Sequence, residues 1–190
     1  MMERIVLASG SPRRKQLLEW AEVDFEVIVA DTPETYPTGL PVGLVPVHIA
    51  RNKALAVKKQ LASDRIVLAA DTVVVLEGDI IGKPRDRDDA VSILMRLTGN
   101  QHEVITGVIL SRGDQEVAFA DSTAVWFHEL TKAQIEAYVD KYRPYDKAGA
   151  YAIQEWIGVV GIRGIEGDFY NVMGLPVSRV VQELAQFGEL

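Results

Sequence analysis

Between Ile66 and Leu76 the chain reads IVLAADTVVVL, an almost unbroken apolar run whose single charge is the carboxylate of Asp71. Such a run, rich in β-branched residues, reads as a buried strand. It continues through EGDIIGKP, where EGD marks a turn and the chain folds back as a hairpin. A buried strand needs other layers to cover it, and the flanking sequence supplies them.

Upstream, RIVLA (Arg4 to Ala8) is a short buried strand, and Pro12 to Ala21 is a helix with Leu17, Leu18 and Ala21 on one face. FEVIV alternates like a second strand, and DTPETYPTGLP, from Asp31 to Pro41, is a long loop. The helix VGLVPVHIARNKALAVKKQLA comes next, with Pro46 near its first turn, where it is tolerated. Downstream, Asp88 to Leu97 is a helix with Ala90, Ile93, Leu94 and Leu97 inward. HEVITGVILSR and EVAFADSTAVWFHEL are long strands joined at GDQ, and Thr131 caps the helix KAQIEAYVDKY. A Gly-studded stretch from Gly149 to Gly174 carries one more strand before a last helix from Pro176 to about Phe187. The alternation predicts an α/β fold, and the adjacent long strands make the sheet mixed.

At 190 residues, 48% hydrophobic and 25% charged, the chain has the size and composition of one globular domain. No repeat or composition break marks a linker. The net charge of −7 argues against nucleic acid or an anionic membrane as a general partner. There is no cysteine, no signal-peptide apolar core and no run long enough to span a bilayer, so a soluble cytoplasmic protein is expected. His48, His102 and His128 show no paired spacing, so any catalytic metal would be held by oxygen.

Against that acidic background, clustered cations carry information. In LASGSPRRKQLLEW, Arg13, Arg14 and Lys15 occupy the first turn of a helix, where the backbone is already positive. Gly10 lets the chain turn, the Ser11 hydroxyl can cap the helix, and Pro12 suits its first position. Either the arginines are solvated on an ordinary capped helix, or they and the exposed N–H groups hold a polyanion. On the dipole alone, Arg14→Glu would stabilise the free helix by a few tenths of a kcal/mol.

Asp71 also needs a partner, because a lone buried carboxylate is costly. Lys83 is one candidate: a three-residue turn at Glu77, Gly78 and Asp79 would make it a diagonal neighbour of Asp71, whereas a two-residue turn would put it on the opposite face. Lys53, on the long helix with Arg51, Lys58 and Lys59, reads as solvated surface unless the fold brings it to a site. Glu34 and Asp31 are either metal ligands or loop solubilisers. In YDKAGAYAIQ, Gln154 offers the donor and acceptor that a pyrimidine edge requires.

In order along the chain, LASGSPRR, ARNKA, AADTVV, GKPRD, TGN, TGV, DKAGAYAIQ and NVMGLP resemble the Maf family of nucleoside triphosphate pyrophosphatases. SPRR, DTV and DKAGAYAIQ together are similar to its dTTP/UTP branch. The branch acting on 7-methyl-GTP has an aromatic residue and Gln where Arg13 and Thr72 stand here.

The resemblance implies a single elongated α/β domain, like that of inosine triphosphatases, with a central mixed sheet, flanking helices and a cleft between two lobes. It implies hydrolysis between the α- and β-phosphates with a divalent metal, Mg²⁺ or Mn²⁺, and a homodimer. Asp71 matches the catalytic base. Arg13, Thr72 and Gln154 match the specificity positions, and Ser9, Arg14, Glu34, Lys53 and Lys83 match other cleft residues. On these matches Ser9, Arg13, Arg14, Lys53 and Lys83 are phosphate ligands, and Glu34 and Asp71 are metal ligands. Ala152 and Glu155 depart from the pattern, since glycine is frequent at both positions in relatives, and His48 replaces a more usual basic residue.

Hydrolysis of dTTP and UTP to the monophosphate and pyrophosphate, clearing modified pyrimidine nucleotides as well, is therefore expected. The alternative is a non-catalytic nucleotide sensor regulating septum formation, which needs the cations but has less need of Asp71.

Overall fold

The computed structural model describes residues 4–187. In chain order the elements are β1 (Ile5–Leu7), α1 (Pro12–Trp20), β2 (Phe25–Val27), α2 (Val45–Lys58), β3 (Val67–Leu76), β4 (Asp79–Ile81), α3 (Arg87–Leu97), β5 (Gln101–Arg112), β6 (Gln115–Phe127), α4 (Lys132–Tyr142), α5 (Trp156–Gly161), β7 (Ile162–Glu166), α6 (Phe169–Met173) and α7 (Val177–Ala185). The sheet order is β2-β1-β3-β5-β6-β7, with β4 paired to β3. β1 is parallel to β2 and β3, whereas β3–β4 and β6–β7 are antiparallel. The fold is thus α/β with a mixed sheet, as the sequence pattern predicts.

The backbone gathers into two compact units. One holds residues up to 72, 106–121 and those from 174 onward; the other holds 73–105 and 122–173.

In the first unit, α2 lies against the parallel strands. Val47, Ala50, Ala54 and Val57 along one helical stripe pack with Val6, Ala8, Val67, Ala69 and Ile109 of the sheet. The seat of α2 is set by Gly107 in β5, where an added Cβ would lie 2.2 Å from the Val47 nitrogen and 2.4 Å from the Pro46 carbonyl carbon. Only a residue without a side chain lets the helix backbone approach a strand this closely. Alternation along β3 then sets the direction of its one carboxylate: Val67 and Ala69 belong to the α2 core, and Asp71 is the next residue of that phase.

The second unit shows how local signals act when they are strong. Thr131 and Gln134 form a full capping box at the start of α4, and the Asp86 side chain caps α3 by accepting from the Asp89 N–H at 2.9 Å.

Three local expectations are corrected. The Ser11 hydroxyl does not cap α1; the Ser11 N–H instead donates to Ser9 Oγ at 3.3 Å, so Ser9 organises this turn. Gly10 does not use a left-handed conformation, and a Cβ there would make only an ordinary 3.9 Å contact with Val29, so the turn itself does not demand glycine. The hairpin pairs Leu76 with Asp79, leaving Glu77 and Gly78, at φ 53° and 87°, as a two-residue turn. This is the primed geometry that matches strand twist, and the three-residue turn on which the Asp71–Lys83 pairing rested is not formed.

Candidate active site

Two adjacent residues at the end of the first unit's share of β3 organise the site. Asp71 and Thr72 lie in opposite phases of the strand, and each meets a cation delivered by a different helix.

Asp71 is buried, at 9% exposure, and Lys53 Nζ of α2 donates to its Oδ1 at 2.7 Å. The same ammonium donates to Glu34 Oε1 at 2.9 Å, so the loop carboxylate and the strand carboxylate converge on one charge. Lys53 flanks the buried stripe of α2, which keeps its stem against the helix while its head reaches the carboxylates. Its side chain is only 16% exposed, so it is not the solvated surface lysine that the helix alone suggests. Arg51 instead pairs with Glu116, and Lys58 donates to the Gly113 carbonyl.

Thr72 meets Arg14. The guanidinium is buried at 8% exposure and donates from Nε to the Gly174 carbonyl at 2.8 Å, from Nη1 to Ser9 Oγ at 3.1 Å and from Nη2 to Thr72 Oγ1 at 3.0 Å. Thr72 Oγ1 also shares a 2.9 Å hydrogen bond with the fully buried Thr106 hydroxyl of β5. Burial holds the Arg14 pKa below its usual value, and the nearby Asp71 carboxylate opposes that shift. The group stays charged all the same, because guanidinium does not deprotonate in proteins. The acceptors it bonds, a carbonyl and two hydroxyls, are neutral, so its charge is offset only through space by Asp71 and Glu34.

The three cations of the opening helix therefore separate. Arg14 is a buried strut, Arg13 is half-buried beside it, and Lys15 is exposed with a 3.7 Å surface pair to Glu19. In the folded protein, burial of Arg14 adds a cost to Arg14→Glu that the dipole argument for the free helix does not contain.

Ser9, Arg13, Arg14, Glu34, Lys53, Asp71 and Thr72 all belong to the first unit. Lys83 and Gln154 belong to the second, both with exposed side chains: Lys83 just beyond β4, and Gln154 in the turn before α5. Sequence reasoning missed two members of the Arg14 network. Thr106 and Gly174 lie inside TGV and NVMGLP, but a hydroxyl in a strand and a carbonyl after a helix carry no sequence sign of their partner.

Among the described residues no cluster of three or more His, Asp or Glu side chains forms a ready metal cage. The Glu34 and Asp71 pair nevertheless fits a hard divalent cation. Both supply carboxylate oxygens, and their convergence on the Lys53 ammonium marks a position that already accommodates positive charge. Mg²⁺ is commonly bound through one or two carboxylates together with substrate phosphates and water.

A family model described as Maf-like protein matches residues 4–187. A dTTP/UTP pyrophosphatase of Cytophaga hutchinsonii is 48% identical over 180 residues, covering 95% of this chain and 82% of that protein. One of Parabacteroides distasonis is 47% identical over 185 residues, covering 97% and 96% respectively. Among solved structures, a HAM1 protein from Coxiella burnetii aligns with a TM-score of 0.53 over 97% of this chain and 100% of that one, at 13% identity, a likeness of fold.

Proposed function

The chain belongs to the Maf family, and from that premise we propose that it hydrolyses dTTP and UTP to the monophosphate and pyrophosphate, removing modified pyrimidine nucleotides as well. The observation that carries this reading is the buried Asp71 carboxylate held with Glu34 on Lys53, on the strand whose next residue holds Arg14.

A nucleoside triphosphate brings about four negative charges, and its cleavage requires positioned cations and an in-line water. Arg13, Arg14 and Lys53 supply charge for the phosphate chain, with the Ser9 turn beside them, and Lys83 is assigned to the same charge by the resemblance. Asp71 is the carboxylate available to take the water's proton as oxygen bonds to the α-phosphorus and the bridging bond to pyrophosphate breaks. Glu34 and Asp71 would hold Mg²⁺ or Mn²⁺, which when bound supplies Lewis-acid stabilisation of the phosphate oxygens. Arg13, Thr72 and Gln154 are the proposed specificity residues. A homodimer and a cytoplasmic location belong to the same proposal.

The test is incubation of the pure protein with dTTP or UTP and Mg²⁺. Monophosphate and pyrophosphate should appear, and Asp71→Asn should lower kcat by about a hundredfold or more. Release of orthophosphate, or equal turnover by the variant, overturns the reading. Saturable nucleotide binding without turnover would identify a sensor instead.

A further inference from the structure

The turn that carries Gln154 is held in an unusual way. The Glu155 N–H donates to the Ala152 carbonyl at 3.1 Å, closing a turn in which Ile153 is buried and Gln154 is the exposed residue. Glu155 is also the N-cap of α5, its carbonyl accepting from the Gly158 N–H at 2.9 Å. Gly158 is packed so hard on the turn that a Cβ would fall 1.7 Å from the Ile153 carbonyl oxygen.

Both ends of this turn meet one side chain. Tyr138 of α4, 1% exposed, donates its hydroxyl hydrogen to Glu155 Oε2, while the Tyr138 hydroxyl oxygen itself accepts the Ala152 N–H at 3.3 Å. The buried Lys147 ammonium, which donates to Asp146 Oδ1 at 2.8 Å, lies 3.8 Å from Glu155 Oε1. Without the Glu155 carboxylate, the Tyr138 hydroxyl would lose its acceptor at this end of the turn.

We propose that Tyr138 and Glu155 form a positioning clamp that fixes the Gln154 turn and thereby sharpens discrimination between pyrimidine and purine triphosphates. The inference rests on the reading of Gln154 as a base-contacting residue under the proposed function. The clamp touches neither the phosphates nor the reacting atoms, so its effect falls on base recognition. Where a site is built to hydrogen-bond a substrate group, rejection of the wrong partner depends on the site's own polar groups being held in place.

Two measurements test it, each on the intact protein. Amide hydrogen exchange reads the clamp directly. Tyr138→Phe, which keeps the ring and removes only the hydroxyl, should speed exchange at Ala152 and Glu155 about tenfold while leaving the strand amides of β5 unchanged. Steady-state kinetics with dTTP, UTP and GTP read the consequence. Tyr138→Phe and Glu155→Ala should each raise KM for the pyrimidine nucleotides several-fold at nearly constant kcat and shrink the preference over GTP. Glu155→Gln, which keeps an acceptor for the hydroxyl, should retain most of it.

Unchanged exchange overturns the clamp. Faster exchange with an unaltered dTTP-to-GTP ratio overturns its role in specificity. A wild-type protein that releases pyrophosphate from no nucleotide, despite a clamp seen by exchange, overturns the functional reading and with it the role in base choice.

Discussion

Replacing Arg14 by glutamate would set a carboxylate against the Gly174 carbonyl and the hydroxyls of Ser9 and Thr72, all of which now accept from the guanidinium. An uncompensated buried charge of this kind costs on the order of 3 kcal/mol or more. Arg14→Glu should therefore lower the urea midpoint sharply, while Lys15→Ala, at an exposed position, should shift stability by less than about 0.5 kcal/mol. A stable Arg14→Glu protein would mean that the guanidinium is solvated. The sequence made all three cations conspicuous through one rule, the sign of the helix terminus. Separating them required knowing which face of α1 meets Gly174, a contact 160 residues away. Lys53 was ambiguous for the same reason: its place between two carboxylates depends on a strand and a loop that helical periodicity does not see.

At the scale of elements, α2 carries Lys53 to Asp71 only while it lies on the backbone of β5. Gly107→Ala would push a methyl into Val47 N and Pro46 C, both backbone atoms that cannot rotate away. Overpacking against main chain costs about 3 kcal/mol, and it also displaces the helix that holds the site lysine. Chemical denaturation should show the loss of stability, and kcat should fall in the protein that remains folded. A variant with unchanged midpoint and kcat would remove Gly107 as the seat of α2. Element type was legible wherever periodicity and caps agreed, as in α4, where Thr131 and Gln134 make both halves of the capping box. It was less legible at turns. Ser11 looks like an N-cap by residue type, yet the Ser9 hydroxyl receives the N–H, and EGD could not reveal from its letters whether two residues or three form the turn. The difference is one hydrogen bond in each case, settled by strand twist and neighbouring side chains rather than by local preference.

Across the whole molecule, the most direct pH response comes from a histidine outside the proposed chemistry. His102 is 2% exposed, bonds through Nε2 to the Tyr151 hydroxyl at 2.7 Å and packs edge-on against Phe127 and Tyr151. Burial pushes its pKa down to about 4, from 6.5. Between those values the unfolded chain binds a proton that the folded protein does not, so stability is full above about pH 6.5 and declines as pH falls toward 4. The contribution is on the order of 3 kcal/mol over that window. Thermal unfolding at successive pH values should show it, and His102→Gln, which keeps a polar partner for Tyr151, should flatten the slope. Identical slopes in both proteins would assign the acid sensitivity to carboxylates alone.

The contact between Arg14 and Gly174 also has a meaning in time. A ribosome adding about 5–20 residues per second makes the acceptor carbonyl roughly ten to thirty seconds after the arginine, because 160 positions separate them. During that interval β1 and α1 exist without one of the groups that hold the guanidinium. Any chain released before Gly174 leaves Arg14 short of that partner, so the full set of acceptors around Arg14 waits on synthesis of Gly174.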